Sequence, residues 1–142
     1  MLSKKAKYAL KSVIYLAQHN DRYIQISEII KNDGMPQKFV EAILLELKKK
    51  GFLESMRGKH GGYKLSKQPN DISVGDIVRF IDGGLAPVHC VSKLFYKKCN
   101  ECANEETCEV RKAMKKVRDA IVDVMDKTSL EDAVNDKTRV EL

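Results

Sequence analysis

Phe52-Leu53-Glu54-Ser55-Met56-Arg57-Gly58-Lys59-His60-Gly61-Gly62-Tyr63-Lys64-Leu65, residues 52–65, reads as a single β-hairpin with a basic tip. Phe52 to Met56 has the composition of a strand, and Tyr63-Lys64-Leu65 that of its partner. The loop between them holds three glycines, which supply the unusual φ values a tight connection needs. It also holds three side chains able to carry positive charge: Arg57, Lys59 and His60. A basic hairpin is common by itself. Its meaning depends on what precedes it.

Upstream the chain reads as two helices joined by a tight turn. Ser27 is the expected cap of a short helix over 28–33, and Gly34 closes it. Pro36 then stands where proline is best tolerated, at the first position of a second helix over 36–50. Phe39, Val40, Ile43, Leu44 and Leu47 form the inward stripe of that helix, and Gly51 ends it. This is the layout of a helix-turn-helix, whose second helix enters the major groove by its N-terminal end. A helical hairpin in a bundle would share that spacing, but a basic hairpin directly after the second helix reads as a wing. An earlier amphipathic helix, from a Ser3 cap to about His19, carries Ala6, Ala9, Leu10, Val13, Ile14 and Ala17 at helical spacing. Between it and the helix-turn-helix, residues 23–26 read as short and extended.

The charge follows the same division. Residues 1–67 hold 14 Lys+Arg and 6 Asp+Glu, a net of +8, whereas residues 68–142 hold 12 and 14, a net of −2; together they give the +6 of the chain. The basic half thus coincides with the wing and the helices before it. Concentrated positive charge suits a polyanion, because neutralised phosphates release counterions. On this reading Gln37, Lys38 and Glu41 face base edges. Lys4, Lys5 and Tyr8 reach phosphates, Arg57 and Lys59 lie at the minor groove, and His60 of the same loop is a further DNA-binding residue.

Downstream, Ser73 caps a helix carrying Val74, Ile77, Val78 and Ile81, and Gly83-Gly84 ends it. All four cysteines then fall within 19 residues, as Cys90, Cys99, Cys102 and Cys108. Clustered thiols in a cytosolic chain read as metal ligands or redox sensors sooner than as structural disulfides. Lys93, Lys97 and Lys98 stand among them and are expected to lower the thiol pKa values. From Glu109 to about Lys127 runs the longest helical pattern. Val110, Met114, Val117, Ile121 and Val124 step by 4, 3, 4 and 3, a heptad seam suited to a partner helix. Leu130, Ala133 and Val134 read as a short terminal helix after Ser129 that folds back. The chain thereby divides into a DNA-binding domain (1–84), a cysteine-rich loop (85–108), a dimerisation helix with a short terminal helix (109–134) and a flexible tail (135–142).

The order of these parts resembles the Rrf2 family of bacterial regulators over roughly residues 1–134. The resemblance is carried by Lys7-Tyr8-Ala9-Leu10 with Leu16-Ala17, by Phe39-Val40-Glu41 with Leu47, by the segment Arg57 to Leu65, and by the cysteines before a long helix. It implies a mainly α fold with a small β-hairpin wing, a winged helix-turn-helix dimer with crossing C-terminal helices, and palindromic double-stranded DNA operators. For many members it also implies a [2Fe–2S] or [4Fe–4S] iron–sulfur cluster on three cysteines that reports cluster supply, nitric oxide, iron or redox state. The family pattern maps onto Cys90, Cys102 and Cys108. The Cys90–Cys102 gap is long, Cys99 is an extra thiol within it, and Arg111 occupies the place where some members have a ligating histidine. The fourth ligand is therefore open between Cys99, His89 and a residue of the other subunit. The competing reading is a zinc- or thiol-based regulator without such a cluster. An enzyme is disfavoured: His19, His60 and His89 sit in unrelated contexts, and no nucleophile–base pair or phosphate-binding glycine loop occurs. No run approaches the roughly 20 apolar residues a membrane span needs, and no secretory signal is visible at the N-terminus. A cytoplasmic protein is expected.

Overall fold

The computed structural model describes residues 2–141. Met1 and Leu142, the outer ends of the stretches 1–84 and 135–142, lie outside the described residues. Helix α1 (Lys4–Gln18) begins at Ser3, whose hydroxyl accepts from the Ala6 N–H at 3.0 Å. Ser3 also reaches across the fold: its backbone N–H and its hydroxyl both donate to Asp82 at the end of α4 (Val74–Asp82). Ala6, Ala9, Val13 and Leu16 form the buried face of α1.

Helix α2 (Ile26–Ile30) starts and stops earlier than the sequence suggests. Ser27 is inside it, and the Gln25 carbonyl accepts its first hydrogen bonds, from Glu28 and Ile29. The cause is tertiary. Ile24 pairs with Tyr63 of the hairpin through two N–H···O bonds of 2.8 Å, which fixes residue 24 as extended and lets the helix begin directly afterwards. Helix α3 (Gln37–Lys50) begins after Pro36, which is its cap and not its first residue. The turn from α2 to α3 spans residues 31–36, longer than the two or three residues expected. Val40, Ile43, Leu44 and Leu47 are buried as expected, but Phe39 is 36% exposed. Its ring instead meets Tyr8 edge to face, with centroids 5.6 Å apart. Gly51, in the left-handed region, closes the helix.

Strands β1 (Leu53–Met56) and β2 (Gly62–Leu65) pair antiparallel, with Leu53 opposite Leu65 and Met56 opposite Gly62. With the Ile24 bridge they form the small sheet of a winged helix. A capping box of Ser73 and Asp76 starts α4. The cysteine segment holds only a 3-10 turn, His89–Val91. Helix α5 (Glu109–Lys127) follows, and then α6 (Leu130–Asn135), which has a second capping box at Ser129 and Asp132. Helix α6 does fold back: Leu130 is fully buried, and its N–H donates to the Ile72 carbonyl. The core joins Leu16, Ile24, Ile43, Leu44, Leu47, Ile77 and Leu130, so both ends of the chain meet in one apolar interior. Among the described residues no helix is long and apolar enough to cross a membrane.

Candidate DNA interface and thiol-bearing loop

Gln37 and Lys38, in the first turn of α3, are exposed, and Glu41 is half-buried. Gln37 donates through Nε2 to the Glu41 carboxylate at 2.9 Å, leaving its own amide oxygen free to accept. Arg57, Lys59 and His60 are all exposed at the tip of the hairpin. Gln25 donates to the Lys59 carbonyl at 3.1 Å and ties that tip to the start of α2. Helix α3 and the wing are neighbours, since the Glu41 charge, after burial, is what raises the Tyr63 phenol pKa on β2. On α1, Lys4 is exposed. Lys5 is engaged in an ion pair with Glu46 at 2.7 Å, and Tyr8 is half-buried beneath Phe39. Lys4 of α1, Lys38 of α3 and Arg57 and Lys59 of the hairpin are exposed and outside every ion pair among the described residues.

The four cysteines are half-buried free thiols. Cys108 caps α5, its Sγ accepting from the Arg111 N–H at 3.4 Å. That contact, followed by Cys102, is what lowers the Cys108 pKa. The Cys102 pKa is raised, first by desolvation and then by Cys108 and Cys99. Cys102 also donates to the Asn104 carbonyl at 3.3 Å. The lysines expected to acidify the thiols are thus not what sets either value; the α5 N-terminus and burial do. Cys102 and Cys108 influence each other, and Cys99 adds to the shift of Cys102. Cys90 lies on the 3-10 turn beside His89, which is exposed. Among the described residues no three His, Cys, Asp or Glu side chains converge as a ready-made metal site.

Arg111 joins these parts. Its Nε donates to the Cys90 carbonyl at 3.2 Å and its Nη1 to the Glu105 carbonyl at 3.3 Å, so one guanidinium holds both ends of the loop against α5. Seven residues on, two helical turns along the same face, Arg118 donates to the Val91 carbonyl at 2.6 Å. Arg118 is only 8% exposed, and sequence reasoning gave it no role. Its i, i+7 spacing from Arg111 was the available signal. As a donor set, clustered soft thiolates suit an iron–sulfur centre. The chemistry of the set fits, although no three thiols converge among the described residues, so a cluster requires the loop to rearrange.

Along α5 the seam residues Val110, Val117 and Val124 are 67%, 41% and 64% exposed in the single chain, while Met114 and Ile121 are half-buried. An apolar stripe left open at heptad spacing is what a partner helix would cover.

Comparison with known proteins agrees with this anatomy. Residues 2–136 match the profile of the Rrf2 family, described as an iron-dependent transcriptional regulator. An rrf2-like helix-turn-helix transcriptional regulator of Rhodobacter capsulatus is 40% identical over 136 residues, covering 93% of this chain and 91% of that protein. The structure of CymR, the global cysteine regulator of B. subtilis, superposes with a TM-score of 0.78 at 27% identity, covering 94% of this chain and 95% of that one. IscR of T. potens does so with a TM-score of 0.75 at 26% identity, covering 97% and 88%.

Proposed function

This chain belongs to the Rrf2 family of transcriptional regulators, and from that premise we propose that it acts as a homodimer on a palindromic operator and reports iron–sulfur, redox or nitric oxide status through its cysteine loop. It is a regulator and not an enzyme. The observation that carries the DNA reading is the exposure of Lys38 and Gln37 at the start of α3 beside an exposed wing with Arg57 and Lys59. Gln37, Lys38 and Glu41 read base edges in the major groove. Lys4, Lys5 and Tyr8 hold phosphates, Lys5 exchanging Glu46 for DNA. Arg57 and Lys59, with His60 beside them, enter the minor groove, where a planar guanidinium is favoured.

Cys90, Cys102 and Cys108 are the proposed ligands, with Cys99 or His89 as the fourth. When bound, an iron–sulfur cluster supplies a centre that oxidants, nitric oxide or iron shortage can alter. The chain's own contribution is to hold the loop on α5 through Arg111. The mutual influence of Cys102 and Cys108, without a third converging donor, favours one second reading, a zinc- or thiol-based switch. Anaerobic purification with an absorbance spectrum and iron, sulfide and zinc assays separates the two.

The DNA assignment is tested by affinity for a set of operator variants. Lys38→Ala should cost about 1–3 kcal/mol and relax specificity at one base position. Lys4→Ala should weaken all sequences alike and lower the salt slope by about one. Identical behaviour of the two variants would refute this division of labour.

A further inference from the structure

Between the turn that carries Cys90 and the off-seam face of α5 lies a cavity of about 500 Å³. Its lining is strongly cationic: Lys93, Arg111, Lys112, Lys115 and Arg118, against the carboxylates of Glu105 and Glu106. One Glu105 carboxylate oxygen accepts from the Tyr96 hydroxyl at 2.6 Å, and the other is buried without a side-chain hydrogen-bond partner among the described residues, so Glu105 keeps its negative charge in the wall. Lys93, Lys112 and Lys115 have no carboxylate partner within ion-pair distance among the described residues. Arg118 is the built part of the wall. It is nine-tenths buried and makes three hydrogen bonds, two to Asp119 and one to the Val91 carbonyl. A guanidinium has five N–H donors, so two of them find no acceptor in the protein among the described residues. Arg118 has Asp119 as its counter-charge, and Lys93, Lys112 and Lys115 are exposed, so an entering anion would exchange water on these cations for charge-assisted hydrogen bonds.

We propose that this cavity binds a small polyanionic metabolite, one presenting two or more carboxylate or phosphate groups, and that the bound anion clamps the Cys90 turn onto α5. Five cations face Glu105 and Glu106, and Asp119 pairs with Arg118, which leaves an excess of two positive charges for an anion with two negative groups to match. The size suits a small molecule, since ligand sites commonly run about 300–1,000 Å³. A duplex is the wrong shape, because its phosphates lie on a convex surface and a deeply buried Arg118 is reached only by something that enters. Arg111 and Arg118 already hold the carbonyls of Cys90 and Val91. An anion between those residues and Lys93, Lys112 and Lys115 would tie turn to helix more firmly. Cys90 lines the cavity too, so the site belongs to the chain with the Cys90 turn held on α5, and a cluster drawn onto Cys90 would reshape it.

The test titrates the full-length protein, as purified, with propane-1,2,3-tricarboxylate and separately with 3-phosphoglycerate. Calorimetry is run at constant ionic strength with chloride as the control, and amide hydrogen exchange is followed over residues 89–93. Expected are one site per chain for at least one probe, slower exchange in that turn, and an affinity about tenfold weaker or worse in Lys112→Gln/Lys115→Gln. Binding of propane-1,2,3-tricarboxylate shows that carboxylates suffice, and binding of 3-phosphoglycerate alone shows that a phosphate is required. Both substitutions are at exposed positions, and far-UV circular dichroism checks that the variant stays folded. Absence of binding by both probes at about 10 mM, where even a very weak site would fill, overturns the proposal. So does unchanged affinity in the double variant. So does a double variant that loses random-duplex affinity as far as Lys4→Gln/Lys38→Gln does, since the lysines would then belong to the DNA surface.

Discussion

Gly62 shows how much of the wing's placement rests on a missing side chain. Its φ is +139°, and a Cβ there would overlap the Ile24 carbonyl oxygen, the very atom that accepts from Tyr63. The contact that brings hairpin and α2 together therefore requires glycine twice over, for conformation and for room. Gly58 at the tip, with φ +108°, shares the conformation but has open space around it. Gly62→Ala should lower the urea midpoint by more than Gly58→Ala, the strain common to both being about 1–3 kcal/mol. Equal losses would mean that the close approach to Ile24 contributes nothing. Glu28 is a second residue whose environment can be read out. It accepts from the Tyr15 hydroxyl at 2.9 Å and from both Arg22 Nη atoms, and the Arg22 guanidinium is what chiefly brings its pKa from 4.5 to about 2. A carboxyl acidified by folding adds stability that is complete above its unfolded pKa and is lost as the pH falls through its folded one. Wild type should therefore exceed Glu28→Gln in stability above about pH 4.5, with the gap closing toward pH 2. Urea midpoints at a series of pH values check this, and a gap independent of pH would assign the effect to packing.

At the scale of elements, α5 makes the sharpest claim. Its seam steps along an otherwise charged helix, and Val117 beside the half-buried Ile121 is central in it. In a dimer built on this stripe, Ile121→Asp places an unpaired charge in the interface, a loss of about 3–5 kcal/mol for an uncompensated buried charge. Sedimentation should show monomer, with operator binding falling below detection. An intact Ile121→Asp dimer would place the interface elsewhere. The seam, the caps at Ser3, Ser73 and Ser129, and the basic wing were legible in the sequence because each is local: a period, a capping side chain, a glycine-rich loop. What was not legible is tertiary. The start of α2 is set by the Ile24–Tyr63 bridge and not by Ser27, and Phe39 leaves the core stripe to meet Tyr8. The burial of Arg118 depends on where the Val91 turn lands, which no window of α5 contains. The thiol pKa values likewise follow the cap at Cys108 and burial at Cys102, where sequence proximity to lysines pointed the other way for Cys102.

At the scale of the whole molecule a short mechanical path runs from the cysteine loop to α3, the helix proposed to read DNA. Cys108 caps α5, Arg111 pins the loop ends to it, α5 carries the proposed seam, and α6 returns Leu130 to the core that positions α3. In the proposed dimer a change in the loop would act on the first turn of the helix that sets the spacing of two recognition helices, and half-site spacing governs affinity for a palindrome. A cluster that only stabilised the fold would leave operator affinity untouched. The distinguishing measurement is operator affinity at fixed salt for the protein with its cluster, after its removal, and for Cys102→Ala shown to dimerise. A difference of about fivefold or more between the first and the other two is expected, the lower end of ordinary allosteric coupling. Equal affinity in all three would refute sensing even with a cluster present. Iron content of single variants then resolves the ligands. Cys90→Ala should lose more iron than Cys99→Ala, because Cys90 fits the family pattern. The reverse would make the third ligand Cys99, the thiol that already influences Cys102, and would leave Cys90 to Arg111 and the turn it holds.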